Sequence, residues 1–244
     1  MSLIPQGIKY LESEEQQQIL RGWRQVSLAI FETIGVINMS IKLINVTVSA
    51  HAGSSLLMAN PQTVDPLNAY SKERGKITSL RKKTDEDILR LRELDVESKV
   101  YWSDELGVYV PSKWVIASVA NSAFSVAKIA KAKIRSSVFP TENHIKLNYA
   151  GEEQVASLQH IIANEHFITM NLKQGQVSVT KAIPMFSGWS FSTQLEIDTD
   201  IVNLAEIQRI MDYGARYVGY GDFRPTYGRA EVEISEAAKL KQVA

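Results

Sequence analysis

Residues 189–234 read WSFSTQLEIDTDIVNLAEIQRIMDYGARYVGYGDFRPTYGRAEVEI, and the period of the apolar residues changes along them. Trp189–Ile197 alternates apolar and polar residues, as a strand with one buried face does. Asn203 then stands at a helix N-cap position, and Leu204, Ile207, Ile210 and Met211 recur on one face of LAEIQRIMDYGARYV. Ala230–Ile234 alternates again and predicts a closing strand. Between helix and strand, Gly219, Gly221 and Gly228 free the backbone for φ > 0 and leave amides uncovered. Tyr220, Phe223, Arg224, Tyr227 and Arg229 are interleaved with them. Arginines clamp phosphates, aromatics stack on bases and bare amides donate to phosphate oxygens, so these eight residues form a predicted nucleic-acid-binding loop. The same composition suits a tight connection with its aromatics packed inward and its arginines solvated, and the sequence leaves both readings open. A dinucleotide fingerprint needs a strand before the glycines and a helix after them; here the order is reversed.

Working outward, Ser136–Pro184 is β-rich, with Gln174-Gly175 as a hairpin turn and a helical turn at Leu158–Ile162. Before it, Val108–Pro111 is a short extended run, and Ser112 opens a helix to about Lys131. The small residues Ala117, Ser118, Ala120, Ser122, Ala123 and Ala127 let that helix lie close against a sheet. Lys128, Lys131, Lys133 and Arg135 make its end basic, a placement the helix dipole favours. Residues 51–108 form a long insertion, and long excursions in compact domains are functional or disordered. Within it Lys72, Arg74, Lys76, Arg81, Lys82 and Lys83 face a single acid, Glu73. Lys76, Arg81, Lys82 and Lys83 join the loop as predicted strand contacts. Thr84 caps a helix with an acidic first turn, whose Ile88, Leu91 and Leu94 are expected to face inward. Ser40–Ala50 alternates and predicts the first core strand. Residues 1–38 form a separate amphipathic helix, with Ile19, Trp23, Val26, Ile30 and Ile34 on one stripe. That stripe suits packing on the protein's own sheet or on a second subunit. One α+β domain, residues 39–244, with this appendage is the expected organisation, and the polar tail is expected to fray.

Composition narrows the function. Hydrophobic content of 45% and charged content of 22% are those of a globular chain. The absence of cysteine removes disulfides, thiolate metal sites and a cysteine nucleophile. No apolar run approaches about 18 residues, and the first residues turn acidic where a secretory signal needs apolar ones. The expectation is a cytoplasmic protein with no membrane partner. With 27 basic and 27 acidic residues, nucleic-acid contact requires local patches. Asp65, Asp85, Glu86, Asp87, Asp104 and Glu105 are close in sequence, but adjacent carboxylates on a helix diverge and no histidine falls at a ligand spacing. There is no G-x-S-x-G, H-E-x-x-H or G-x-x-x-x-G-K-[ST]. No catalytic residue, metal or cofactor is assigned, and a binder is favoured over an enzyme.

GYGDFRPTYGRAEVEI, following a helix, resembles the C-terminal glycine-rich loop of the RAMP superfamily of CRISPR-associated RNA-binding proteins, and GVYVPSKWVIASVANSA resembles the RAMP entry into the first core helix. Residues 39–234 more specifically resemble an uncharacterised phage-encoded family, through SSLLMAN, VDPLNAY, ITSLRKKTDEDILRL, YVPSKWV and VGYGDFRPTYGR. The resemblance implies a ferredoxin-like (RRM/RAMP-like) core. Its first strand would be Ile41–Ser49 and its helices Ser112–Lys131 and Asn203–Val218. The Gly-rich loop and the basic insertion would line one groove for single-stranded RNA or DNA, and the chain would form a homo-oligomer along the strand. The RAMP nuclease branch uses a catalytic histidine; no histidine lies in this loop, and His51 follows the first strand. A metal-dependent nuclease and a structural phage protein stand as alternatives.

Overall fold

The computed structural model describes residues 40–237. The predicted helix within residues 1–38 and residues 238–244 lie outside that range. Strand β1 (Ile41–Ala50) is central: Ile44, Val46 and Val48 alternate onto one face and are fully buried, while Lys42, Thr47 and Ser49 are exposed. On one side β1 pairs antiparallel with β10 (Ala230–Glu236), Val48 opposite Val232. On the other it pairs antiparallel with β9 (Ser190–Asp198), Val46 opposite Thr193. Strand β5 (Val138–Pro140) closes the order β10-β1-β9-β5, again antiparallel.

Two helices cover the buried face. α3 (Lys113–Ala127) lies in the chain between β1 and β5, and α6 (Leu204–Tyr213) between β9 and β10. The Asn203–Glu206 capping box starts α6, and its Ile207, Ile210 and Met211 are buried, each contributing about 1.5–3 kcal/mol by removal from water. On α3, Ser118, Ala120, Ser122 and Ala123 are buried. Their small size serves helix–helix approach as well as the expected sheet contact: a β-carbon at Gly214 would stand 2.6 Å from Ser118 Oγ and 2.9 Å from Ser122 Oγ. The helix expected to run to about Lys131 stops at Ala127. Lys128 takes the left-handed conformation (φ 59°), donates its N–H to Phe124 O, and a second short helix, α4 (Lys131–Arg135), follows.

The insertion is built into this core. β2 (Leu56–Leu57) pairs with β8 (Val177–Phe186), which forms a hairpin with β7 (Phe167–Gln174). Leu56, Leu57, Met58, Val96 and Val100 are buried at 1% exposure or less. Helix α1 (Ala69–Thr78) precedes α2 (Asp85–Lys99), which starts at a Thr84–Asp87 capping box. Of the inward-facing set expected on α2, Leu94 is buried and Leu91 half-buried, but Ile88 is 41% exposed. The helix enters the core only along its last turns, so its first turns carry no buried stripe. A short hairpin, β3 (Trp102–Ser103) with β4 (Gly107–Pro111), and β6 (His144–Lys146), which pairs with β4, complete the sheets. Helix α5 (Leu158–Ala163) precedes β7.

His166, at the start of the β7–β8 hairpin, packs its ring against Tyr149 and Phe186 at 5.3 and 6.0 Å. Its buried Nε2 has no hydrogen-bond partner among the described residues. Burial pushes its pKa below the ordinary 6.5, with the charge of Glu153 opposing. The unfolded chain therefore takes up a proton here before the folded one does, and the contribution of neutral His166 is lost as pH falls below about 6.5. Urea unfolding between about pH 5 and 7.5 should show His166→Phe losing less stability on acidification than the wild type. Parallel pH profiles would remove His166 from the acid response.

Candidate nucleic-acid interface

The glycine-rich loop leaves α6 through a π-type turn, Gly214–Val218, and folds back on itself. Tyr220 N–H donates to Gly228 O (2.8 Å), Gly228 N–H to Ser55 O (2.9 Å) and Asp222 N–H to Leu57 O (2.9 Å). Arg229 N–H donates to Ser54 Oγ (2.9 Å), and Gly219 N–H to Gly214 O (2.7 Å). The glycines answer to that packing: a β-carbon on Gly228 would overlap the Tyr220 carbonyl, and one on Gly221 the Leu57 carbonyl. Most of the amides expected to face a phosphate are thus engaged. Those of Gly221, Phe223, Arg224 and Thr226 donate to no acceptor among the described residues.

Tyr220 corrects the sequence reading. It is 1% exposed and packs edge-on against Trp189 (6.2 Å) and Phe191 (5.5 Å), so its ring has no face open to a base. Burial pushes its phenol pKa well above the usual range. The aromatics of such a loop fill the sheet's core as readily as they stack on a ligand, and composition does not separate the two. Phe223 and Tyr227 are half-buried, and Phe223 holds φ 53°, a left-handed conformation costly for an aromatic residue. Arg224 is exposed, with Nη1 3.5 Å from Gly219 O, and Arg229 Nε donates to Arg216 O at 3.3 Å.

Lys76, Arg81, Lys82 and Lys83 are exposed at the α1–α2 end of the insertion. Lys83 Nζ donates to Thr78 O and Leu80 O, closing the end of α1. No hydrogen bond, ion pair or ring contact joins these four residues to the glycine-rich loop among the described residues. Arg74, from the same basic run, is bound to the buried Asp95 and is structural.

The open face of the main sheet is unsuited to a strand. Its centre carries a Thr47–Ser192 hydroxyl pair at 3.1 Å and Gln194 donating to Asn45 at 2.9 Å. Glu196, Glu231 and Glu233 are exposed beside them, and carboxylates repel phosphates. Stacking platforms need aromatic rings at such central positions.

A different surface has the right character. Residues 106–141 contain no Asp or Glu but carry Lys113, Lys128, Lys131, Lys133 and Arg135. All five are exposed, and none forms an ion pair with a described residue. Lys113 and Arg135 flank a cleft of about 520 Å3 lined by Trp114, Ile116, Ala117 and Pro140. Trp114 is fixed edge-on against Tyr101 at 5.5 Å, and Phe124 and Phe139 are exposed. The sequence reading assigned the cations of 128–135 to the helix dipole; the acid-free run was the signal that would have joined Lys113 and Trp114 to them.

Three of the six carboxylates considered for metal binding are otherwise employed. Asp87 completes the cap of α2, Asp104 accepts from Trp102 Nε1 (3.0 Å), and Asp65 accepts from Leu67 N–H (2.8 Å). Among the described residues no group of three His, Asp or Glu side chains could hold a metal ion. His51 pairs with Glu231 at 3.0 Å on the surface. No helix among the described residues is long and apolar enough to cross a membrane. No protein-family model matches the chain, and no curated protein matches it.

Proposed function

We propose that this chain is a non-catalytic protein that binds single-stranded nucleic acid, with its phosphates along Lys113, Lys128, Lys131, Lys133 and Arg135 and a base in the Trp114 cleft. The observation that carries this reading is a run of cations without a single carboxylate and without an ion pair among the described residues, in a chain whose charges balance overall. One-signed, exposed charge beside a fixed indole is what a sequence-tolerant strand binder needs. Arg224 and Arg229 in the glycine-rich loop are a second, smaller set of phosphate contacts, and Lys76, Arg81, Lys82 and Lys83 a third. We further propose that the core is ferredoxin-like, of the RRM/RAMP-like kind found in the phage-encoded family the sequence resembles. The strand order and the helices between β1 and β5 and between β9 and β10 support that assignment.

The test is fluorescence anisotropy with labelled dT20 and rU20 across a salt series. Changing Lys131, Lys133 and Arg135 together to Ala should weaken binding by about tenfold or more and flatten the slope of log affinity against log salt by about two. Arg224→Ala with Arg229→Ala should weaken it less, at unchanged thermal stability. A triple variant that binds as tightly as the wild type, with the same salt slope, would refute the reading.

A further inference from the structure

A groove of opposite character lies along β10. This strand is an edge: it pairs with β1 on one side and with no strand among the described residues on the other. His51 N–H donates to Arg229 O and Ala237 N–H to Leu43 O, so the odd-numbered residues turn their backbone groups toward β1. Ala230, Val232 and Ile234 turn theirs to the free edge, where the Val232 carbonyl accepts a long 3.3 Å bond from Gln208 Nε2. The groove, about 510 Å3, straddles this edge. Asp212, Tyr213, Arg216 and Tyr217 form one wall, from the end of α6 and the turn after it, and Glu231 and Glu233 the other. The two tyrosine rings lie 4.8 Å apart, and Tyr217 is 59% exposed.

We infer that this edge is a docking site for an extended, lysine- or arginine-bearing peptide segment of a partner protein. Three carboxylates against one guanidinium repel a phosphate strand and attract an ammonium or guanidinium group. Exposed tyrosine faces hold the same cations through their ring quadrupoles. Glu231 and Glu233, two residues apart on a strand, project to one face about 7 Å apart. A peptide added to β10 as a fifth strand presents its own alternate side chains at that spacing, so cations at every second position meet both carboxylates. The backbone groups at the free edge give the peptide affinity, and the acidic and aromatic walls give it specificity. The groove's charge separates it from the nucleic-acid face, so the inference stands independently of that reading.

The probe is a fluorescein-labelled hexapeptide alternating threonine and lysine, titrated against the full chain by anisotropy. Two controls accompany it: the same peptide with glutamate for lysine, and one with proline for threonine, which cannot extend a sheet. The lysine peptide should bind saturably, and both controls at least about tenfold more weakly. Glu233→Gln alone should weaken binding measurably. Glu231→Gln with Glu233→Gln should weaken it about fivefold or more, and Tyr217→Ala about threefold. Equal binding of the lysine and proline peptides, or no effect of the groove substitutions, would overturn the proposal. So would salt-sensitive self-association of the free chain abolished by those substitutions, which would seat a second copy in the groove instead.

Discussion

Gly228→Ala is expected to destabilise the fold by about 3–5 kcal/mol, lowering the melting temperature by about 10 °C. Two costs combine. Gly228 sits at φ 74°, where any residue with a β-carbon is strained by about 1–2 kcal/mol. The added methyl would also overlap the Tyr220 carbonyl, whose residue donates its own N–H back to Gly228 O. Relief requires Tyr220 to move, and Tyr220 is wedged between Trp189 and Phe191 in the core. Gly53→Ala separates the two costs: Gly53 has φ 76° but nothing within 4 Å of the place a β-carbon would take. It should therefore lose only the conformational part, about 1 kcal/mol. Chemical denaturation of both variants is the measurement. Equal losses would show that the loop yields freely and that its glycines are not held by packing.

This loop also shows how far the sequence could be read. Alternation identified β1, β9 and β10, and the Asn203 and Thr84 caps identified two helix starts, because each signal is local and has one physical cause. The three glycines were found for the right reason, positive φ, but their surroundings are not local. Gly221 is set by the Leu57 carbonyl, far away in the chain, and Gly228, which has no room for a β-carbon beside Tyr220, also donates its N–H to the distant Ser55 O. For the same reason Tyr220 read as a surface aromatic. The core segment Leu56–Met58 is too short to show a period, so the insertion read as an excursion although it carries fully buried side chains. Of the candidate site, the exposed Arg224, Arg81 and Lys82 were legible as solvent-facing cations, and the Trp114 cleft was not. Its walls come from α3, α4 and β5, which only the tertiary fold brings together.

Asp95→Ala should be the second severe substitution, at about 3–5 kcal/mol, because it leaves partly buried cations without their anion. Asp95 is 3% exposed near the end of α2. It binds Arg74 from α1 directly, with Lys99 Nζ and Lys181 Nζ each 3.9 Å from the same oxygen. One carboxylate thus ties both insertion helices to β8, where Lys99 also donates to Ala182 O at 2.6 Å. Burial already pushes the Lys99 pKa below its ordinary value, and Asp95 is the largest influence holding it up. Removing Asp95 should lower it further. The sign follows from proton counting: between the lowered folded pKa and the unfolded value near 10.5, the unfolded chain binds more protons, so stability rises with pH. The variant should therefore recover a larger part of its stability between about pH 7 and 9.5 than the wild type gains over the same range. Adding Arg74→Met should restore part of the loss, since deleting both partners strands less charge than deleting one. Urea denaturation of the four proteins of this cycle at both pH values measures each term. A loss in Asp95→Ala that neither alkaline pH nor Arg74→Met relieves would mean that lost packing, not uncompensated charge, accounts for it.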